Sequence, residues 1–368
     1  FSFSNSGMDT PIYTLRGIGF GDASRTANSA VGVYVDEVPM PYPYMTQGAN
    51  LDLERIEVLK GPQGTLYGRN TTGGAINYIA AKPTDSLEYG LEAEYGRFET
   101  YSVESYISGS LTDRLRGRLA VSHLQADEGW QVSLTRPDDR LGKKDRQAAR
   151  ASLEWDTTDS LRLAFTVDWW RDRSEPQAPQ PIAIDAQQAD LEDDQIHPDV
   201  RNHPLVMSED IRAADWVPGF PWTLDNDFVM PAIRGYWDIA DDISVALIAA
   251  YSDFETGEAR IPRSGLSVYN SELVNKFTET SAYSVELRAE GRLLQERLSW
   301  LFGWYTSEDE VEDYNLINFS TNSAVFNVLP GVTPVADHTA AVGDQTADIN
   351  AIFTHQEFDF TDYLRLSL

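Results

Sequence analysis

The residues of this sequence with the plainest chemical use are aromatic rings set in turns. Pro41, Tyr42, Pro43 and Tyr44, followed by Met45 and Gln47, lie between short apolar runs, and Phe20, Gly21 and Asp22 form a second turn. Rings with a few convergent polar groups can hold a bulky, partly aromatic ligand by stacking and hydrogen bonding, with no bond made or broken. Packing of the same rings against neighbouring structure is the competing expectation. Trp130, Trp216 and Trp222, in later loop segments, are weaker candidates of the same kind.

Reactive constellations are harder to find. Arg16 to Gly21 is glycine-rich, but its spacing departs from the phosphate-binding G-x-G-x-x-G and no βαβ pattern follows. GPQGTLYGRN, from Gly61 to Asn70, lacks the Lys-Ser/Thr ending of a nucleotide loop. His197 and His203 flank Asp199 in an acidic loop, where solvated side chains are expected rather than metal ligands. With 5 histidines and many acids, no Ser/His/Asp arrangement stands out. Cysteine is absent, which removes thiolate metal sites, disulfides and a Cys nucleophile. The expectation is a protein that binds, not an enzyme, with no metal site and no intrinsic cofactor.

Composition narrows the partners. The 368 residues carry 29 Lys and Arg against 58 Asp and Glu, a formal charge of −29, which argues against a nucleic-acid partner because phosphate binding needs clustered cations. At 42% hydrophobic the chain is long and apolar enough to bury a core. No apolar run of about 18 residues is present, so no membrane-spanning helix is expected. A β-barrel escapes that test, because each strand alternates lipid-facing and lumen-facing side chains and averages to near neutral. The chain starts at Phe1, with no signal peptide pattern, and is expected to be processed or cut from something longer.

These residues sit on two kinds of element. Residues 1–84 are rich in Gly and Pro with short apolar runs, and read as a compact α+β piece with short strands at Ile12–Leu15, Gly32–Val38, Ile56–Leu59 and Ala75–Ile79. From Asp85 onward a period-2 apolar series keeps returning, as in Leu87, Tyr89, Leu91, Ala93 and Tyr95, or Leu161, Leu163, Phe165, Val167 and Trp169. About ten or eleven such strands are expected, many near the roughly 9–11 residues that cross a bilayer at a tilt. Their other faces carry Glu104, Arg118, Asp168, Glu286 and Arg288, too polar for a sandwich core but suited to a wet lumen. Short turns at Thr112–Arg114, Thr157–Ser160, Ala240–Asp242, Leu293–Arg297 and Phe360–Tyr363 alternate with longer connections, the last from Ser307 to Asp344. Tyr95, Trp169, Trp170, Trp304 and Tyr305 are expected in interfacial aromatic girdles.

Leu53 to Pro83 reads LERIEVLKGPQGTLYGRNTTGGAINYIAAKP and closely resembles the plug-domain signature of TonB-dependent outer-membrane receptors. TLRGIGF (Thr14–Phe20) and VGVYVDEVP (Val31–Pro39) resemble it too. The resemblance implies an α+β plug domain followed by antiparallel transmembrane β-barrel strands, about 10–11 of an expected ~22. Residues 1–84 would be the C-terminal part of the plug and residues 85–368 the N-terminal half of the barrel. The TonB-gripped N-terminal box and the C-terminal strand end of the family are missing, so a partial sequence of a longer protein is expected.

By the same resemblance, the Tyr42–Gln47 turn faces the extracellular mouth, with Phe20 and Asp22 at a neighbouring apex. A plug among charged lumen residues is held by hydrogen bonds and ion pairs more than by apolar burial, and Arg16, Arg55, Glu57 and Arg69 are expected to make those contacts. The implied function is active uptake across the outer membrane of a Gram-negative bacterium, energised by TonB with ExbB/ExbD. A ferric siderophore complex is the expected cargo, its iron carried as ligand. A glycan, cobalamin or aromatic compound is the alternative cargo, and a passive pore or adhesin the alternative role. Membrane lipid and lipopolysaccharide would surround the wall.

Overall fold

A computed structural model describes residues 2–5, 10–20, 25–183, 198–206, 210–267, 271–319, 338–361 and 363–367. Six short strands come first: β1 (Ser2–Asn5), β2 (Pro11–Thr14), β3 (Val31–Val35), β4 (Val38–Met40), β5 (Leu53–Lys60) and β6 (Gly74–Ala80). Then follow β7 (Glu88–Gly96), β8 (Thr100–Thr112), β9 (Leu115–Ala126), β10 (Gln131–Ser133), β11 (Arg140–Leu141), β12 (Lys144–Asp156), β13 (Leu161–Asp172) and β14 (Ala213–Ala214). The series ends with β15 (Asn226–Ala240), β16 (Ile243–Thr256), β17 (Ala259–Pro262), β18 (Ser271–Leu293), β19 (Leu298–Phe319), β20 (His338–Thr361) and β21 (Leu364–Ser367).

The plug is built on a four-stranded sheet in the order β4-β3-β6-β5, with β3 and β6 parallel. Val31, Val33, Val35, Val38 and Ile76 bury its apolar side. The strand expected from Gly32 to Val38 is two strands. Asp36 and Glu37 take φ of 46° and 71°, a two-residue reversal whose twist suits a hairpin, so the chain turns back where the apolar run continues. Among the described residues, helix in the α+β plug amounts to one turn at Gly64–Tyr67 and a 3-10 turn at Pro43–Thr46.

The wall is one antiparallel sheet in the order β21-β20-β19-β18-β16-β15-β13-β12-β9-β8-β7, with β17 added beside β18. Its faces are the reverse of a soluble protein's. Leu119, Val121, Leu153, Phe165, Val167, Leu247, Leu287 and Phe302 stand exposed on the outer face, whereas Arg118, Arg150, Ser152, Thr166, Arg234 and Ser284 are buried on the inner one. Hydrocarbon outside and a polar lumen inside resolve that inversion. A sandwich would have turned Phe165 and Val167 inward against a second sheet.

Two expectations change. The connection expected from Ser307 to Asp344 is largely strand, since β19 runs to Phe319 and β20 starts at His338. Between Ser307 and Asp313 the residues Glu308, Glu310 and Glu312 alternate with Ser307, Asp309, Val311 and Asp313, so hydropathy does not reveal the strand there. Trp170 and Tyr305 also leave the expected girdle. Strand period 2 puts neighbours on opposite faces, so Trp304 faces out while Tyr305 lines the interior, and Trp170 is buried against the plug.

At the end opposite the short turns, two connections fold together. β10 pairs antiparallel with β11 and parallel with β14, and Leu141, Ala178, Ala214, Trp216 and Trp222 pack as a small core. Asp215, fully buried, ties it: Ser133 and Thr135 hydroxyls donate to its carboxylate at 2.7 and 2.8 Å, and His203 Nε2 lies 3.0 Å away. His203 is therefore buried and bonded rather than solvated, while His197 lies outside the described residues. Trp216 and Trp222 serve this core.

Burial alone would raise the Asp215 carboxyl, but the bonds from Ser133, Thr135 and the Trp216 amide, with the Arg136 charge, hold it below the ordinary carboxylate range. A depressed folded pKa gives stability above the unfolded value of about 3.9, lost as pH falls through the folded one. The amides of Val132 and Leu134, bonded to Arg212 and Ala214, are expected to lose hydrogen-exchange protection below about pH 4, after correction for intrinsic rates. In Asp215→Asn they are expected to exchange fast already at neutral pH. Protection that ignores both changes would show that the carboxylate does not hold the cap.

Candidate functional site

Several of the polar contacts between plug and wall join arginines on the wall to oxygens on the plug. Arg118 on β9 grips Asp52 with both ends of its guanidinium, at 2.6 and 2.5 Å, and its guanidinium carbon lies 4.0 Å from the centre of the Tyr106 ring. Arg150 on β12, only 2% exposed, donates to the Leu51 carbonyl at 2.5 Å and to Asp168 on β13 at 2.5 Å. Arg234 on β15 donates to the Asp36 carbonyl at 2.8 Å and to Thr166 at 3.2 Å. Arg288 on β18 pairs with Glu37. Four strands thus hold two plug turns. Both turns are fixed locally: Asp52 has φ of 51° and its amide donates to Glu104 of β8, while Asp36 Oδ1 accepts from the Ala80 amide at 2.8 Å.

Nearer the loops, the 3-10 turn is held by rings. Tyr42 and Tyr44 stack with centroids 5.5 Å apart, Phe254 of β16 lies 4.7 Å from Tyr44, and Trp170 stacks on Phe228. Tyr44 and Thr280 of β18 share a hydrogen bond of 2.9 Å, and Trp170 Nε1 donates to the Met45 carbonyl at 3.1 Å. A Cβ on Gly48 would fall 2.5 Å from the Trp170 ring, so glycine is needed for this approach. Burial pushes the Tyr44 and Tyr42 hydroxyls up, keeping both neutral.

The expected site residues are dispersed. Tyr42 and Tyr44, expected as ligand-facing rings, are 0% and 2% exposed and packed between plug and wall. Gln47 is half-buried, Phe20 is half exposed, and Asp22 lies outside the described residues. Arg69 reaches the wall, pairing with Asp309 of β19. Among the described residues, Arg16, Arg55 and Glu57 make no bond to it. Arg16 sits exposed in the turn closed by Leu15 and Ile18, at φ of 51°. Arg55 and Glu57 share one face of β5 and pair with each other at 2.8 Å, with Glu54 joining Arg55 at 2.7 Å, so near neighbours satisfy them first. They border a cavity of about 780 Å³ between the plug sheet and β18–β20. Asp36, Leu51, Asp52, Arg150 and Arg234 escaped the sequence reading. The Asp-Glu pair inside VGVYVDEVP was the available signal.

Comparison with known proteins agrees with this arrangement. Residues 1–75 match the family model described as TonB-dependent Receptor Plug Domain. A stretch of 142 residues is 32% identical to the pesticin receptor of Yersinia pestis, covering 38% of this chain and 21% of that receptor. The ferripyoverdine receptor of Pseudomonas aeruginosa is 28% identical over 125 residues, 33% of this chain and 13% of that receptor. The ferric yersiniabactin uptake receptor FyuA of Yersinia pestis superposes with a TM-score of 0.74 at 20% identity, covering 98% of this chain and 50% of its own. The chain therefore spans about half the length of that structure, and shares with it the fold of a plug set against a barrel wall.

Removing one partner of a buried pair strands the other charge, at a cost of about 3–5 kcal/mol. Arg118→Ala is expected to lower the opening free energy of the β5 and β6 amides by that order, as read by native-state hydrogen exchange. Arg55→Ala, whose pair faces water, is expected to leave it unchanged. Equal effects of the two substitutions would contradict this assignment of the contact.

Proposed function

We propose that this chain, a member of the TonB-dependent receptor family, forms part of the gate and about half of the wall of an outer-membrane transporter that imports a ferric siderophore complex. The observation that carries the reading is the plug seated against the inner wall by arginine pairs and turn carbonyls. These polar contacts lie beside an apolar ring cluster that joins the apex to the wall, so the plug is held by both kinds of contact. The cargo is inferred from relatives whose names specify ferric siderophores, the yersiniabactin and pyoverdine receptors. Residues 1–84 act as plug and 85–368 as wall. Energy comes from TonB with ExbB/ExbD, and no chemical step occurs. Phe20 and Gln47 would meet the ligand at the mouth, with Tyr42 and Tyr44 beneath them as the support that senses it.

The test is uptake of radioiron-loaded siderophores by cells carrying the full-length parent, with and without the coupling protein. Uptake is expected to require coupling and to be competed by ferric chelates but not by a glycan or cobalamin. Import that persists without coupling would sink the active-transport reading. Tyr44→Ala is expected to weaken ligand binding at least about tenfold, or ~1.4 kcal/mol, while the barrel remains folded by its heat-modifiable gel mobility. Unchanged affinity would remove the apex from the site.

A further inference from the structure

One charged side chain is buried within the ring cluster at the apex. Arg25, 2% exposed and five residues after Phe20 in the plug, places its guanidinium carbon 5.0 Å from the centre of the Tyr44 ring and 5.5 Å from that of Phe254. Both rings turn electron-rich surface to a desolvated cation, the setting in which that contact is strongest. The inner face of β18 and β19 adds a set of oxygens. Asn275 Nδ2 donates to the Thr278 hydroxyl at 2.7 Å, Thr278 donates to Asp313 at 2.6 Å, and Asn315 Nδ2 donates to the same carboxylate. A carboxylate only accepts, so both amides spend their N–H groups along this chain and are left with their oxygens. The Asn275 and Asn315 Oδ1 atoms are buried and have no hydrogen-bond partner among the described residues. Burial pushes the Asp313 carboxyl up, and the Thr278 bond and the Arg25 charge pull against it.

Resting on the transport reading, we propose that Tyr44, Phe254, Asp313, Asn275 and Asn315 form a subsite for an organic cation that Arg25 fills from within, and that the cargo is a ferric chelate bearing an ammonium or guanidinium group which displaces Arg25. Exchanging one cation for another keeps the buried carboxylate compensated, whereas an anionic chelate would meet Asp313 and the negative faces of two rings. The incoming group also gains what Arg25 leaves over. An ammonium has three donors and a guanidinium five, so either can take up an amide oxygen that is now unsatisfied, which lets it compete with a tethered side chain. The approach carries the matching sign. Between residues 173 and 225, Asp and Glu outnumber Arg eleven to three, and Asp227, Glu255, Glu279, Glu312 and Asp344 form an acidic row on the same side of the membrane. Such a field draws cations toward the mouth and holds anions off.

The test is binding of matched chelates to the purified full-length parent: a ferric trihydroxamate ending in a free primary amine, the same chelate with that amine acetylated, and an anionic ferric tricatecholate. The amine-bearing chelate is expected to bind at least about tenfold tighter than its acetylated twin, and tighter than the tricatecholate. Arg25→Ala, which vacates the subsite, is expected to tighten the amine-bearing chelate by about threefold or more and to leave the acetylated one unchanged. Asp313→Asn is expected to bring the pair within about twofold of each other. Equal binding of the pair by the unaltered parent, or preference for the tricatecholate, overturns the proposal. So does weaker binding of the amine-bearing chelate in Arg25→Ala, with Arg25→Gln taking its place should the alanine variant fail to fold. Binding of neither trihydroxamate also overturns it, and the radioiron assay then separates the two readings: coupled import of another ferric chelate leaves the transport reading standing, and no import of any removes both.

Discussion

Arginine cannot shed its proton to escape burial, and this structure buries three of them on the inner wall. Everything about the plug's position answers that constraint. Arg118, Arg150 and Arg234 each need acceptors at hydrogen-bond distance, and the wall supplies only some, such as Asp168 for Arg150. The rest come from two plug turns whose shapes place oxygens outward at the right height. Positive φ at Asp36, Glu37 and Asp52 is thus more than local conformation, since it sets carbonyls and carboxylates toward the strands. Wall and plug complete each other: either one alone would leave buried charge uncompensated.

The apex is held differently, and the contrast matters for movement. Tyr42, Tyr44, Trp170, Phe228 and Phe254 exclude water and fix ring against ring, with two hydrogen bonds setting the orientation. Such a cluster changes by repacking as a unit, because close-packed rings have few intermediate arrangements. The arginine contacts below are separate charge-assisted bonds, each buried and costly to break by itself.

Much of the wall was legible because strand period leaves a mark on hydropathy wherever lipid is one solvent and the lumen the other. Leu161 to Trp169 shows this, and so do the short turns between strands. The same rule exposes the misplacement of Trp170 and Tyr305, since two adjacent aromatics cannot both face lipid. The seam was illegible for another reason. Glu37 and Arg288 are 251 positions apart and Asp36 and Arg234 are 198 apart, and no local pattern links such residues. Arg118 and Arg288 were visible as lumen-side charges, yet which plug oxygen each would meet depends on how the plug sits. Arg55 and Glu57 misled because a charge in a plug strand has two ways to be satisfied, and the neighbour two residues away is the nearer.

The excess of negative charge finds its place beyond the lipid. Asp227, Glu255, Glu279, Glu312 and Asp344 stand directly opposite one another across five adjacent strands, all on the outer face. Two rows closer to the apolar band, Tyr251, Tyr283 and Glu308 lie side by side, and Leu247, Leu287 and Trp304 follow below. Like charges in register repel, at a cost that water and salt screen and hydrocarbon does not. The membrane must therefore end near the Tyr251–Tyr283 row. Strands of 23, 22 and 24 residues in β18, β19 and β20 are about twice what a bilayer needs, and the surplus stands outside as a charged palisade on the loop side. The change from apolar to acidic alternation, which hid these strand ends from a hydropathy reading, is itself the mark of where the lipid stops.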